Sequence, residues 1–242
     1  MKVRASCVWR AGMHLSWLLL SAVVFWTFPG IDLGISGFFW TPSDGWFLAH
    51  DPVPEFVRKD FPRLLIGGVV LLVCLWGILR LCHRPLSWLT GRVCAYLVVS
   101  LATGPGLLAN VLFKENWGRA RPRQIMEFGG DSVFTPPFVM TDQCISNCSF
   151  VSGHGALGFW MTALTFVVPL RWRGRVFLMT FLAGSVVGLV RILQGGHFFS
   201  DVFYAAVLVI GVNYLLAHWI LGIKGLSCQK SGTCRSSSSH PS

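Results

Sequence analysis

Eleven residues, Arg191–Asp201 (RILQGGHFFSD), concentrate the reactive groups of this chain. They set an Arg, a His and an Asp at spacings of six and four within an otherwise apolar region. Charged and titratable side chains are costly at membrane depth, so those that persist there mark candidate functional sites. Alone, an Arg–His pair at a helix end fits a capping or interfacial arrangement equally well. Two upstream clusters, each at the end of an apolar run, shift that balance: Lys114 with Arg119, Arg121 and Arg123, and the tripeptide Ser152-Gly153-His154.

Together these groups describe a phosphate site. Arg presents a planar fork that matches phosphate oxygens in pairs, and Lys adds a compact charge. Lys114, Arg121 and Arg191 are expected to converge from three helix ends. Ser152-Gly153-His154 is expected to open a helix, whose free N–H groups cradle an anion, with Gly153 allowing close approach. Two histidines add cleavage, because imidazole serves as nucleophile, acid or base near neutrality. A nucleophilic His needs one ring nitrogen held as N–H while the other attacks. Asp201, one helical turn after His197, is the expected acceptor. His154, with no carboxylate beside it in sequence, is the expected acid and then base. Arg119 and Arg123 are expected to make additional headgroup contacts. Read alone, Lys114–Arg123 is also what a headgroup-binding basic patch looks like, and His14, His83 and His218 read as interfacial or packing residues.

The elements that must position these groups are membrane helices. Of 242 residues, 53% are hydrophobic and only 12% charged, about half the charged share of a soluble domain. The net charge of +10 does not point to nucleic acid, since the Lys and Arg residues lie in short segments between apolar runs and not on one basic face. Six runs are legible, near His14–Phe28, Leu64–Leu79, Val93–Phe113, Gly155–Leu170, Val176–Val190 and Val202–Ile223. Several are short of the roughly 17–25 residues that a spanning helix needs until flanking aromatic and basic residues are counted. The fold class is therefore all-α, a six-transmembrane-helix integral membrane bundle forming one domain over residues 1–226. The Ser-rich tail, residues 227–242, is expected to be disordered and cytoplasmic.

Lys and Arg divide twelve to eight between the two sides, and all ten acidic residues lie with the eight. That bias places both termini in the cytoplasm and the clusters on the outer side. The first run resembles a signal peptide but lacks a small-x-small cleavage site, so it reads as a retained anchor. The aromatic segment Gly30–Pro62 reads as an interfacial loop or short helix, or as an ordinary outer loop. Gly104-Pro105-Gly106 is expected to bend the third helix. Cys144 and Cys148 fall in an outer loop where an oxidising compartment lets them pair, and no metal-ligand pattern is legible among the cysteines.

Lys114-x6-Arg121-Pro122, Ser152-Gly153-His154 and Arg191-x5-His197-x3-Asp201 resemble the three-part signature of the type 2 phosphatidic acid phosphatase (PAP2) superfamily. Two departures stand out: Val151 where that family commonly has Pro, and Val190 where it often has Ser. The resemblance implies a metal-independent, cofactor-free, two-step phosphatase with a phosphohistidine intermediate. It implies His197 as nucleophile, Asp201 as its orienting partner and His154 as general acid and base, with Lys114, Arg121, Ser152, Gly153 and Arg191 holding the phosphate.

The flanking sequence, including Phe113–Arg119, Pro136-Pro137-Phe138-Val139, Cys148-Ser149-Phe150 and Gln194–Asp201, is similar to that of bacterial lipid A 4′-phosphatases. That implies lipid A as substrate, at the periplasmic face of the inner membrane. Undecaprenyl pyrophosphate, phosphatidylglycerophosphate, phosphatidic acid and the lipid A 1-phosphate are alternative substrates. A lipid phosphotransferase is an alternative reaction, and an anion channel or transporter an alternative of another class.

Overall fold

Apolar runs punctuated by Pro and Gly give an almost entirely helical chain. The computed structural model describes residues 17, 19–49 and 51–223. The tail, residues 227–242, and the start of the first apolar run lie outside the described residues.

The chain enters through α1 (Leu19–Thr27) and turns by 75° at Phe28-Pro29 into α2 (Gly30–Gly37). Pro29 sits at the cap position of α2, where its missing N–H costs no helical hydrogen bond. Phe25 packs against Phe199, Phe203 and Tyr204, which fixes α1 to the last helix. A two-residue hairpin follows, β1 (Trp40–Thr41) paired antiparallel with β2 (Gly45–Trp46). Trp46 and Trp40 both pack on Phe128, so the aromatic segment is tied to the loop that carries the central cations.

The long α3 (Pro52–Leu81, 30 residues) begins well before the apolar run Leu64–Leu79. Its first turns are polar, and Glu55 pairs with Arg58 and Lys59 at helical spacing. Hydropathy cannot register such turns, which explains the later expected start. The segment Gly30–Pro62 is thus a short helix, a hairpin and the first turns of α3.

Thr90 caps α4 (Gly91–Leu101) by accepting from Val93 N–H. Past it Pro105, where a bend is expected, lies within a π-helical stretch, Ala102–Phe113, which runs into the single turn α5 (Lys114–Asn116). A wider turn accommodates the donor that proline lacks, and Asn110 Nδ2 donates to the Pro105 carbonyl at 2.7 Å. The span Gly91–Asn116 stays continuous and delivers Lys114 from its end.

After a long loop come α6 (Gly153–Trp160) with a 3₁₀ extension (Met161–Phe166), α7 (Arg173–Leu193) and α8 (Phe199–Leu221). Among the described residues four helices are long and apolar enough to cross a membrane, or five if the bent α1–α2 pair is one span. The remaining expected run, Gly155–Leu170, corresponds to the shorter α6 and its extension, most of whose residues are buried in the bundle. Several polar groups bridge the helices: Tyr96 Oη donates to the Asn213 carbonyl, Trp160 Nε1 to Ser100, and Asn213 Nδ2 to Thr162.

α6 and α7 touch backbone to backbone at Gly158 and Gly184. A Cβ added at Gly184 would lie 2.9 Å from the Gly158 carbonyl carbon and 2.8 Å from the Phe159 ring. Neither contact is the yielding end of a flexible side chain. Gly184→Val should therefore force the two helices apart and destabilise the fold by about 1–3 kcal/mol, read as a lower Tm of the detergent-solubilised protein. An unchanged Tm would refute this packing.

Candidate active site

The centre is built on Arg119, which is fully buried. Its Nη2 donates to Asp32 Oδ2 at 2.8 Å, and its Nη1 to Asp201 Oδ1 at 2.6 Å and Ser200 Oγ at 2.9 Å. Nε donates to the Thr135 carbonyl at 2.8 Å, and the guanidinium lies 4.3 Å from the centre of the Phe198 ring. Every edge of the fork is used. The expectation that Arg119 meets a headgroup therefore does not hold, since two buried carboxylates already claim the charge.

Asp201 is held from both sides. Its Oδ2 accepts from Ser149 Oγ at 2.6 Å and from the Phe198 N–H at 2.8 Å, so it also caps the first turn of α8. Asp32 accepts from the Ser200 N–H at 2.9 Å and from its hydroxyl. This knot fixes the Gly195–Ser200 segment and, through it, His197.

The proton acceptor for His197 also differs from expectation. Nδ1 lies 2.8 Å from the Ser149 carbonyl oxygen and 3.7 Å from Asp201 Oδ2. A carbonyl only accepts, so the proton resides on Nδ1 and the Nε2 lone pair is free. Asp201 acts one bond further out, by gripping Ser149. His197 Nε2 is buried with no hydrogen-bond partner among the described residues. Burial, reinforced by Arg121, Lys114, Arg191 and His154, holds the ring well below the usual imidazole range and so neutral.

His154 occupies the first turn of α6, where Ser152 Oγ accepts from Gly155 N–H at 3.2 Å. Its Nε2 lies 3.1 Å from the Arg58 carbonyl, which places a proton there, and its Nδ1 is buried and unpartnered. Burial and the cations Arg191, Lys114 and Arg121 push its pKa down to about 4. Gly153 lets the ends of two polar side chains approach: a Cβ there would lie 2.4 Å from Asn110 Oδ1 and 3.1 Å from Lys114 Nζ, so a larger residue would displace them.

Lys114, Arg121 and Arg191 are all buried. Arg121 Nη2 donates to the Asn147 carbonyl and side chain, at 2.6 and 3.0 Å, and burial beside Arg123 pushes its pKa down to about 10. Arg191 Nη1 donates to Gln194, while its Nε lacks a partner. A cavity of about 210 Å³ is lined by Arg58, Arg121, Arg123, Asn147, His154 and Arg191. Arg123 is exposed at this cavity, unlike Arg119. Cys144 and Cys148 are disulfide-bonded in the loop that presents Asn147 and Ser149. Val151 and Val190 are buried apolar residues that contribute no polar side chain.

Sequence reasoning did not single out Asp32, Ser149, Asn147 or Arg58. Asp32 carried one usable signal, an acid inside the apolar stretch Thr27–Gly37, which demands a cationic partner. Ser149 and Arg58 carried none, because both act on a histidine through main-chain oxygens.

What the arrangement offers is a deficit of negative charge. Buried cations surround two neutral imidazoles with bare nitrogens, and a phosphate dianion supplies both the charge and the acceptors that Arg191 Nε lacks. The PAP2 superfamily is matched over residues 89–223. The chain is 35% identical over 192 residues to the lipid A 4′-phosphatase of Francisella tularensis subsp. novicida, covering 77% of this chain and 85% of that protein. It is 34% identical over 201 residues to the lipid A 4′-phosphatase of Rhizobium leguminosarum, with 77% and 84% covered. To that of Rhizobium etli it is 33% identical over 199 residues, with 77% of each covered. No solved structure shows a significant match.

Arg119→Leu should cost about 3–5 kcal/mol, because it strands two buried carboxylates; thermal unfolding in detergent measures it, and a loss within error would contradict the buried triad. A pH dependence follows from the histidines. Both have folded proton affinities below the unfolded value near pH 6.5. The unfolded chain then binds more protons as pH falls below about 6.5, so stability present above that pH declines toward about pH 4. The Tm should drop over this window, and drop less in a His154→Gln, His197→Gln double variant.

Proposed function

The chain belongs to the PAP2 superfamily, and on that premise we propose that it is an integral membrane phosphatase that removes the 4′-phosphate of lipid A at the periplasmic face of a bacterial inner membrane. The observation that carries the chemistry is the pair of bare, buried ring nitrogens, His197 Nε2 and His154 Nδ1, set among Lys114, Arg121 and Arg191.

In the first step the Nε2 lone pair of His197 forms a bond to phosphorus while the bond from phosphorus to the sugar oxygen breaks. The leaving oxygen takes a proton from His154 Nδ1, which carries that proton in the imidazolium form that the charge of the bound phosphate dianion favours. The Ser149 carbonyl keeps the imidazole oriented and stabilises the positive charge that develops on it, with Asp201 adding a negative charge 3.7 Å away. Lys114, Arg121, Arg191 and the N–H groups opening α6 stabilise the equatorial oxygens in the transition state. In the second step water attacks phosphorus, His154 accepts its proton, and the bond between phosphorus and Nε2 breaks. Inorganic phosphate leaves and His197 regains its lone pair.

The site's buried cations, set at the ends of long apolar helices, support a phosphate carried on a membrane lipid as substrate. Its lip supports an anionic headgroup: Arg123 is exposed at the cavity, where it supplies a cation to negative groups beyond the one being cleaved. The relatives named above supply the sugar position. The bias of Lys and Arg supplies the orientation, with the termini cytoplasmic.

Mass spectrometry of lipid A from cells with and without the protein tests substrate and reaction together. The expected result is loss of one phosphate, located at the 4′ position by fragmentation, and no loss with His197→Ala. EDTA should leave the activity intact, since no step uses a metal. Wild-type turnover by His197→Ala would overturn the nucleophile, and unchanged lipid A alongside an enzyme active on undecaprenyl pyrophosphate would overturn the substrate.

A further inference from the structure

One contact in the site has its origin in a proline. In an α-helix the N–H of each residue bonds the carbonyl four positions earlier. Pro62 lies inside α3, four residues after Arg58, and proline has no N–H. The helix therefore supplies no donor to the Arg58 carbonyl from its usual place. That carbonyl is the group found 3.1 Å from His154 Nε2. The start of α3 is also held firmly. Val57 is buried against Val187 and Val190, with Phe61 packed beside them, so the turn bearing Arg58 is locked to α7, the helix that carries Arg191.

We propose that Pro62 is a positioning residue: by withholding its helical hydrogen bond it presents the Arg58 carbonyl to His154, which fixes the proton on Nε2 and leaves Nδ1 as the atom that exchanges protons at the substrate. The proposal deepens the phosphatase reading and takes the acid–base role of His154 from it; the contact itself is independent of that reading.

The charged and titratable groups around His154 are Arg191 from α7, Lys114 from the end of the third span, Arg121 from the following loop and the His197 imidazole, with Arg58 of α3 and Arg123 lining the same cavity. Arg191, Lys114 and Arg121 oppose its protonation. The Arg58 carbonyl favours it, because both N–H groups of an imidazolium need acceptors. Removing that acceptor should make His154 a worse general acid without touching the phosphate cradle.

Pro62→Ala is the informative variant. Alanine is by far the better helix former, so a purely structural proline and a positioning proline predict different results. The expected outcome is a Tm equal to or above wild type with kcat reduced about tenfold, a part of the roughly 10²–10⁴-fold that general acid–base catalysis supplies. The basic limb of the kcat–pH profile should move to lower pH, because kcat reports the protonation of the substrate-bound enzyme. In ¹⁵N spectra of histidine-labelled protein, His154 is identified by its loss in His154→Gln. It should show the Nε2–H tautomer in wild type and a mixture in Pro62→Ala. Arg58→Ala keeps the carbonyl and should keep the wild-type tautomer.

An unchanged tautomer and an unchanged basic limb in Pro62→Ala would overturn the proposal, whatever happens to kcat. A wild-type protein that releases no phosphate, but whose His154 tautomer still depends on Pro62, would overturn the phosphatase reading and uphold the contact.

Discussion

A fully buried guanidinium between two fully buried carboxylates is the constraint on which the site depends. Arg119 has no route to solvent, so its charge is tolerated only because the Asp32 and Asp201 carboxylates lie against it. Because Asp32 comes from α2 and Asp201 from the start of α8, satisfying that charge pins the beginning of the chain to its last helix. Asp201 then holds Ser149, and Ser149 holds His197. The geometry of His197 is thus inherited from an ion triad that does not itself line the cavity.

The reactive side of the same centre is unbalanced by design of its residues. Lys114, Arg121 and Arg191 are buried close to one another without carboxylate partners of their own, while Arg119 takes both acids. The division separates two tasks. One cation is neutralised internally and ties the surrounding elements together; the others have no paired carboxylate among the described residues. Both histidines are neutral as a result, which suits a nucleophile at once and a general acid only after substrate charge arrives.

How much of this could be read from the chain depended on where the information resides. His154, His197, Lys114, Arg121 and Arg191 stood out because rare polar residues in apolar sequence are conspicuous, and their spacing from helix ends was regular. The long helices were legible from hydropathy for the same reason. Arg119 looked like its neighbours Arg121 and Arg123, and only its distant partner Asp32, 87 positions away, reveals that it is structural. The acceptors for the two histidine rings were not legible at all, since a main-chain carbonyl such as that of Ser149 or Arg58 is common to every residue type. At α3 the ion pairs of Glu55 concealed three turns of helix from a hydropathy reading.

The boundary at residue 89, where the family match begins, does not coincide with a physical boundary. Asp32 and Arg58 both lie before it and reach into the site. A chain shortened to start there would keep every signature residue yet lose half of the counter-charge around Arg119 and the tether on His154. The modular unit recognised by similarity and the cooperative unit that must fold together are different objects in this protein, and the second includes α2 and the head of α3.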